Sequence, residues 1–420
     1  MEDLKRRLKS DAEKIYTGAI RANLPDSAVD EAMKHFRLPR GRLILVAIGK
    51  AAWKMAKRAE YIVTEKFHGS IDSGTVITKY GHTEGKIGNF DIFEAGHPIP
   101  DENGIRATEA ALELTRGLSP DDTVLFLVSG GGSALFESPL CSPRELADIT
   151  EKLLASGADI SEINAVRKHL SRVKGGRFAE HIAPAKFFAV VLSDVLGDRL
   201  DTIASGPTAP DRTTAADVER ILKKYGIEVD PRTLSAMMRE TPKKITNGEH
   251  HIGGSVTELT KSARAICEEL GYRAEILTDS ETGYAREVGA RLADIAIQNA
   301  DTDTPLSFII GGESVVKLKG NGLGGRNQET ALSAAPIIKG YDNIAVFSVG
   351  SDGTDGPTDV AGGYSDGESY EKMTRAGINP EEYLENNDSY NALLASDGLI
   401  FTGPTGTNVN DIAVALVLSK

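Results

Sequence analysis

Several segments of this chain are apolar at every position: Leu43-Ile44-Leu45-Val46-Ala47-Ile48, Val124 to Val128 and Phe187 to Leu192. None alternates polar with apolar residues. A strand built from such a run meets water on neither face, so it belongs in a parallel sheet covered by helices on both sides. Helical patterns do follow them, at Ala51 to Ala56, 143–155 and 162–172, and further strands read at Gly74 to Lys79 and Phe90 to Glu94. The fold class is α/β, with two α/β domains, the first a mostly parallel, doubly wound sheet. Residues 1–36 read as helical, with a loop around Pro25 and an N-cap near Asp26 or Ser27. Proline-bearing polar segments at 210–245 predict the boundary, giving an N-terminal domain at 1–240 and a C-terminal domain at 241–420. In the latter, strands are expected at 272–277, 306–310 and 344–349, helices at 285–300 and 327–337, and at Ile412 to Leu418 a final strand, with a buried helix the alternative.

A chain of 420 residues supplies cores for two or three domains. The net charge of −13 argues against a nucleic-acid partner or an anionic membrane surface, but not against a small anionic ligand held by local cations. The N-terminus lacks the apolar core of a signal peptide, and no apolar run reaches the ~18 residues of a membrane span. Cys141 and Cys267 have no metal-ligand spacing and read as reduced thiols, so a cytoplasmic location is expected. A homo-oligomer is compatible with the sequence.

The run at 124–128 ends in Ser129-Gly130-Gly131-Gly132-Ser133. Successive glycines let main-chain N–H groups converge with no side chain in the way, which suits a phosphate or carboxylate; a tight strand-to-helix turn without a ligand is the alternative. The run at 43–48 breaks at Gly49-Lys50, which sets a lysine where open α/β sheets bind ligands. No glycine precedes Gly49 at the Walker A spacing. Between 164 and 177 the chain is dense in cations: Asn164, Arg167, Lys168 and Ser171 share a helix face and make either a wall for an anion or a solvated basic face. Asp194 follows the buried strand Phe187 to Leu192, where a carboxylate can hold Mg²⁺, accept a hydroxyl proton or merely cap the next helix. Gly320 to Gly325 formally spells G-x-G-x-x-G, but no acidic strand end follows at the required distance. It reads as a flexible loop that brings Arg326 to a helix N-terminus. Ser351 to Asp359, with three aspartates, and Thr402 to Asp411 are further polar, glycine-bearing loops.

In this order, Gly49-Lys50-Ala51-Ala52, Gly96-His97-Pro98, Ser129 to Leu135, Asn164 to Ser171, Lys174-Gly175-Gly176, Ser193 to Asp198, Ser205 to Thr208, Gly311-Gly312-Glu313, Gly324 to Glu329, Ser351 to Gly356 and Gly406 to Asp411 resemble the glycerate 2-kinase family, the class with a C-terminal MOFRL domain. The blocks cover nearly the whole chain, with no departure at any of them. The resemblance implies two α/β domains with the active site in the cleft between them. It implies transfer of the γ-phosphoryl group of ATP to the 2-hydroxyl of D-glycerate, with Mg²⁺, and catalytic roles for Lys50, Asp194 and Arg326. Ser129, Gly130, Gly131, Gly132, Ser133 and Lys174 are then expected at phosphate or nucleotide, Arg167, Arg326 and Asn408 at the acceptor, and Asp352 and Asp355 at a metal. An NAD(P)H-dependent hydroxypyruvate reductase, resting on Gly320 to Gly325 alone, and a non-catalytic sugar-phosphate-binding module are the alternatives.

Overall fold

A computed structural model describes residues 2–419. The chain divides into two compact units. Residues 28–192 and 198–253 make the first; residues up to 27, 193–197 and from 254 onward make the second.

The first unit carries β1 (Leu43–Ile48), β2 (Ser73–Lys79), β3 (Asp91–Ala95), β4 (Thr123–Val128), β5 (Lys186–Leu192) and β6 (Gly248–Gly254). Their order is β3-β2-β1-β4-β5-β6. β1 pairs in parallel with β2 and β4, β2 with β3, and β4 with β5. The chain thus fills the sheet outward in one direction from β1 and then in the other from β4. That reversal is the topological switch point at which such sheets open a crevice, and the segments leaving it are those of Lys50 and Ser129. Every residue of β1 is buried, as its sequence requires. Phe126, Phe136 and Phe178 close the core beside β4, with ring centroids 5.1–6.0 Å apart.

The proline-bearing region at 210–245 is not a linker. It forms the helices Ala215–Lys224 and Pro231–Met237, whose Val218, Ile221, Leu222 and Met237 bury against Leu146, Ile149 and Val166 of the first unit. A single cut at 240 therefore differs from the observed division, which returns to the second unit at 254.

The second unit holds β7 (Arg273–Glu281), β8 (Leu306–Gly312), β9 (Ile344–Gly350), β10 (Gly362–Asp366), β11 (Leu399–Ile400) and β12 (Asp411–Val417), in the order β11-β10-β9-β12-β8-β7. β7 and β8 are parallel, whereas β12 runs antiparallel to both β8 and β9. Helix Ala285–Gln298 packs Val288, Leu292 and Ala296 onto Phe308, Val346 and Ala415. The first helix, Glu2–Ala22, also belongs here: it buries Leu8, Ile15 and Ala19, accepts a 2.9 Å hydrogen bond from the Tyr272 hydroxyl at Asp11, and pairs Lys5 with Asp342 at 2.8 Å. The next helix, Pro25–Met33, starts at the proline itself rather than after a cap at Asp26 or Ser27, because a residue without an N–H suits the first helical position. Among the described residues no helix is long and apolar enough to cross a membrane.

Candidate active site

In the first unit, Lys50 leaves the carboxyl end of β1 and its N–H donates to the Gly130 carbonyl at 2.9 Å. Its side chain lies beside Gly131, where a Cβ would come within 3.4 Å of Lys50 Cγ and 2.9 Å of the His97 ring. Burial pulls the His97 pKa below its usual value, and the positive charges of Lys50, Lys79 and His82 act in the same direction. Lys50 and His97 thus lie beside the glycine loop, with Lys79 and His82 near enough to act on His97. The main-chain N–H groups of Gly130, Gly131 and Ser133 donate to no main-chain carbonyl among the described residues. His97 stands in a motif picked out from the sequence but was given no role there, and Lys79 and His82 were not singled out. Lys79 was legible by the rule that picked Lys50, since it ends β2, the strand next to β1.

The loop itself is held from below. Ser129 is buried; its hydroxyl donates to Ile48 O at 3.2 Å and accepts from Ala51 N at 3.0 Å, which ties β4 to the turn after β1. Gly132 faces Ala204, whose Cβ a side chain at 132 would approach to 2.8 Å. Ser129 and Gly132 shape the loop, and the surface it presents is Gly130, Gly131 and the half-buried Ser133. Ser133 Oγ lies 3.0 Å from Ser205 Oγ. Ser205 and Ala204 are both left-handed, at φ 61° and 50°, strain of the kind that collects around functional sites.

Lys174, expected at phosphate, is instead fully buried. Its ammonium donates to Ser133 O at 2.8 Å and Phe136 O at 2.9 Å and pairs with Glu137 at 2.9 Å. Three partners occupy its three donors, so Lys174 is a brace for the loop and not a ligand in it. Burial pulls its pKa down, and Glu137 opposes that. The rest of the basic stretch divides: Arg172 is exposed and pairs with Glu109 at 2.8 Å, whereas other members turn inward. Lys168 is buried against Asp211 at 3.2 Å, and Arg177 donates to the carbonyls of Ser171 and Arg239. Arg167 does reach the loop, with Nη2 3.3 Å from Ser133 O.

Gly131 adopts φ +87°, a left-handed conformation in which a Cβ is strained. Gly131→Ala should cost about 1–2 kcal/mol of stability from that conformation. It should also displace His97 and weaken turnover. Urea melts and steady-state kinetics on the same protein check this; unchanged kinetics would make the loop purely structural.

In the second unit, Arg326 opens the helix Arg326–Ala334. Its Nε and Nη2 fork onto the buried Asp411 carboxylate, Nη2 at 3.1 Å from Oδ1, and Nη1 lies 3.4 Å from Glu313. Burial pushes the Asp411 carboxyl above its usual range, against the pull of Arg326. The preceding loop is not loose. Lys319 and Gly320 donate to Asn387 Oδ1 at 2.7 and 3.0 Å, Gly322 to Asn386 O at 2.9 Å, and Leu323 to Asp388 Oδ1 at 3.1 Å. Side chains at Gly320, Gly322 or Gly324 would strike Asn386, Asp388 or Ser389 at 2.1–2.6 Å. These glycines allow close approach of two backbones, their Cβ side being taken by Asn386, Asp388 and Ser389.

Asp355, expected at a metal, caps that helix. Its carboxylate accepts from the main-chain N–H groups of Asn327 at 3.1 Å and Gln328 at 2.9 Å, and from both side-chain amides. Asp352 accepts from Thr354 N and Oγ1 in a local turn. Asn408 is exposed, and its side chain accepts from Asn410 N at 3.2 Å. Among the described residues no three acidic, histidine or cysteine side chains form a metal-binding group. The Asp352 and Asp355 carboxylates are both engaged by local hydrogen-bond donors. Asp194 is half-buried on the segment 193–197, which places it in the same unit as Arg326 rather than in that of Lys50. Asp355→Ala should destabilise the protein by about 2 kcal/mol or more, because it orphans buried donors at a helix N-terminus. The same loss in EDTA and in excess magnesium confirms a cap; a loss that magnesium reverses would restore the metal role.

The chain matches two family models: Domain of unknown function (DUF4147) over residues 11–239 and MOFRL family over residues 306–411. The chain is 52% identical to a D-glycerate 2-kinase of Thermotoga maritima, covering 98% of this chain and 99% of that one. It is 41% identical to a glycerate 2-kinase of Pyrococcus horikoshii (92% and 90% covered), and 40% identical to a putative hydroxypyruvate reductase of Agrobacterium vitis (96% and 93%). A crystal structure of glycerate kinase from Thermotoga maritima superposes over 100% of both chains with a TM-score of 0.93 at 52% identity. The chain belongs to the glycerate 2-kinase family.

Proposed function

We propose that this protein transfers the γ-phosphoryl group of ATP to the 2-hydroxyl of D-glycerate, giving 2-phosphoglycerate and ADP. Its near full-length similarity to proteins named glycerate 2-kinase carries the reading. Phosphoryl transfer asks a protein mainly to position two substrates and to neutralise charge on the moving group. Lys50 and the amides of Gly130 and Gly131 supply charge and donors at the switch point of the first sheet, with Arg167 alongside. Arg326 supplies a guanidinium whose aim Asp411 sets. Asp194 orients or deprotonates the acceptor hydroxyl. Magnesium enters with the nucleotide, as part of that substrate, and the enzyme works in the cytoplasm. The hydroxypyruvate reductase name of one relative finds no support in the loop 320–325, whose glycines are occupied by neighbouring backbone.

The test is incubation with ATP and D-glycerate, with products resolved by ³¹P NMR, beside a control for NAD(P)H oxidation with hydroxypyruvate. ADP and 2-phosphoglycerate should appear in equal amounts. Production of 3-phosphoglycerate, or oxidation of NAD(P)H instead, would overturn the reading.

A further inference from the structure

Beside Arg326 the second unit contains a cavity of about 690 Å³. Its walls include Leu196, Val315, Val316, Leu318 and Pro357. Val315 is 47% exposed and Leu318 80% exposed, large apolar side chains left bare around a concave site. Apolar surface of this kind gains about 25 cal/mol per Å² when a ligand covers it.

The charges around the cavity narrow the choice of ligand. Arg326 is its one lysine or arginine, and that guanidinium already faces Asp411 and Glu313. Glu313 and Glu329 add two carboxylates to the lining, the second paired with Arg286 at 2.8 Å. A triphosphate in the body of the cavity would find little net attraction. Glycerate is small and would leave most of the aliphatic wall uncovered. A neutral, flat, partly polar ring system has neither difficulty. The hydroxyls of Thr282 and Ser314 lie on the wall, at hand for the edge of such a ring. The volume falls within the range of sites that enclose molecules the size of a nucleoside.

We propose that this cavity takes the adenosine end of ATP, with the base on Val315 and Leu318 and the phosphates directed past Arg326. The proposal rests on the kinase reading for the identity of the nucleotide, and on the lining of the cavity for its place.

Val315→Asp tests it. The Val315 main chain keeps its bonds to Gly283 and Ala285 whatever the side chain, and the side chain is half exposed. If that variant melts early, Leu318→Asp at the more exposed site replaces it. Two quantities are read: binding of adenosine by titration calorimetry, which needs no turnover, and the KM values for ATP and for glycerate. Adenosine should bind the wild type and compete with ATP. The variant should lose adenosine binding and raise the KM for ATP about tenfold, as a carboxylate beside a buried base must be desolvated. The KM for glycerate should stay within about twofold. An unchanged KM for ATP, or a rise confined to glycerate, would overturn the assignment. Loss of adenosine binding in a protein that never phosphorylates glycerate would keep the cavity and remove the acceptor.

Discussion

Lys50→Ala should lower kcat by about 10²-fold or more while the protein stays folded. The lysine sits where β1 and β4 diverge, beside the left-handed Gly131 and the His97 ring, and its main chain is bonded to Gly130. A cation held in that place acts on charge that develops during transfer, so its loss falls on kcat more than on KM. Lys50→Arg should not restore the rate, since a planar fork cannot take the place of a compact ammonium. Wild-type turnover in a folded Lys50→Ala protein would remove Lys50 from the mechanism.

Lys174→Met should be the most destabilising single change in the first unit, at about 3–5 kcal/mol. It leaves Glu137 buried without its counter-charge and takes the donor from the carbonyls of Ser133 and Phe136. Removing both charges, as Lys174→Met with Glu137→Leu, should recover much of that stability. The double variant should still turn over slowly, because the loop that the ammonium organised has lost its brace. Chemical denaturation gives the first result and kinetics the second. A fully active double variant would show that Lys174 serves stability alone.

The two residues show what the sequence could and could not convey. Both are lysines near glycines. Lys50 was placed correctly at a strand end because unbroken apolar runs mark buried parallel strands, and such strands end at a ligand crevice. Lys174 was placed at phosphate because its neighbours are glycines and cations. Its partner Glu137 lies 37 positions earlier, and only the tertiary fold brings it within 2.9 Å. Asp355 is similar: the sequence shows an acid among glycines, and the helix it caps comes into view only in the fold. The strands read from the sequence at 74–79, 124–128, 187–192, 306–310 and 344–349 appear at their expected places because their own side chains are their evidence. β6 (Gly-Glu-His-His-Ile-Gly-Gly) and β10 (Gly-Gly-Tyr-Ser-Asp) were not read as strands, since their strand character comes from the partners they pair with.

The placement of the helix Glu2–Ala22 and of β12 has a consequence for biosynthesis. The helix leaves the ribosome before anything else described here, yet it packs on structure that begins beyond residue 254. At about 5–20 residues per second, its apolar stripe of Leu8, Ile15 and Ala19 waits on the order of tens of seconds for a partner. The first unit can meanwhile complete its own sheet. The second cannot, because β12, at 411–417, fills an interior position between β9 and β8. Nascent chains arrested short of that strand should expose the helix to chaperones or proteases, while the unit that carries Lys50 is already folded.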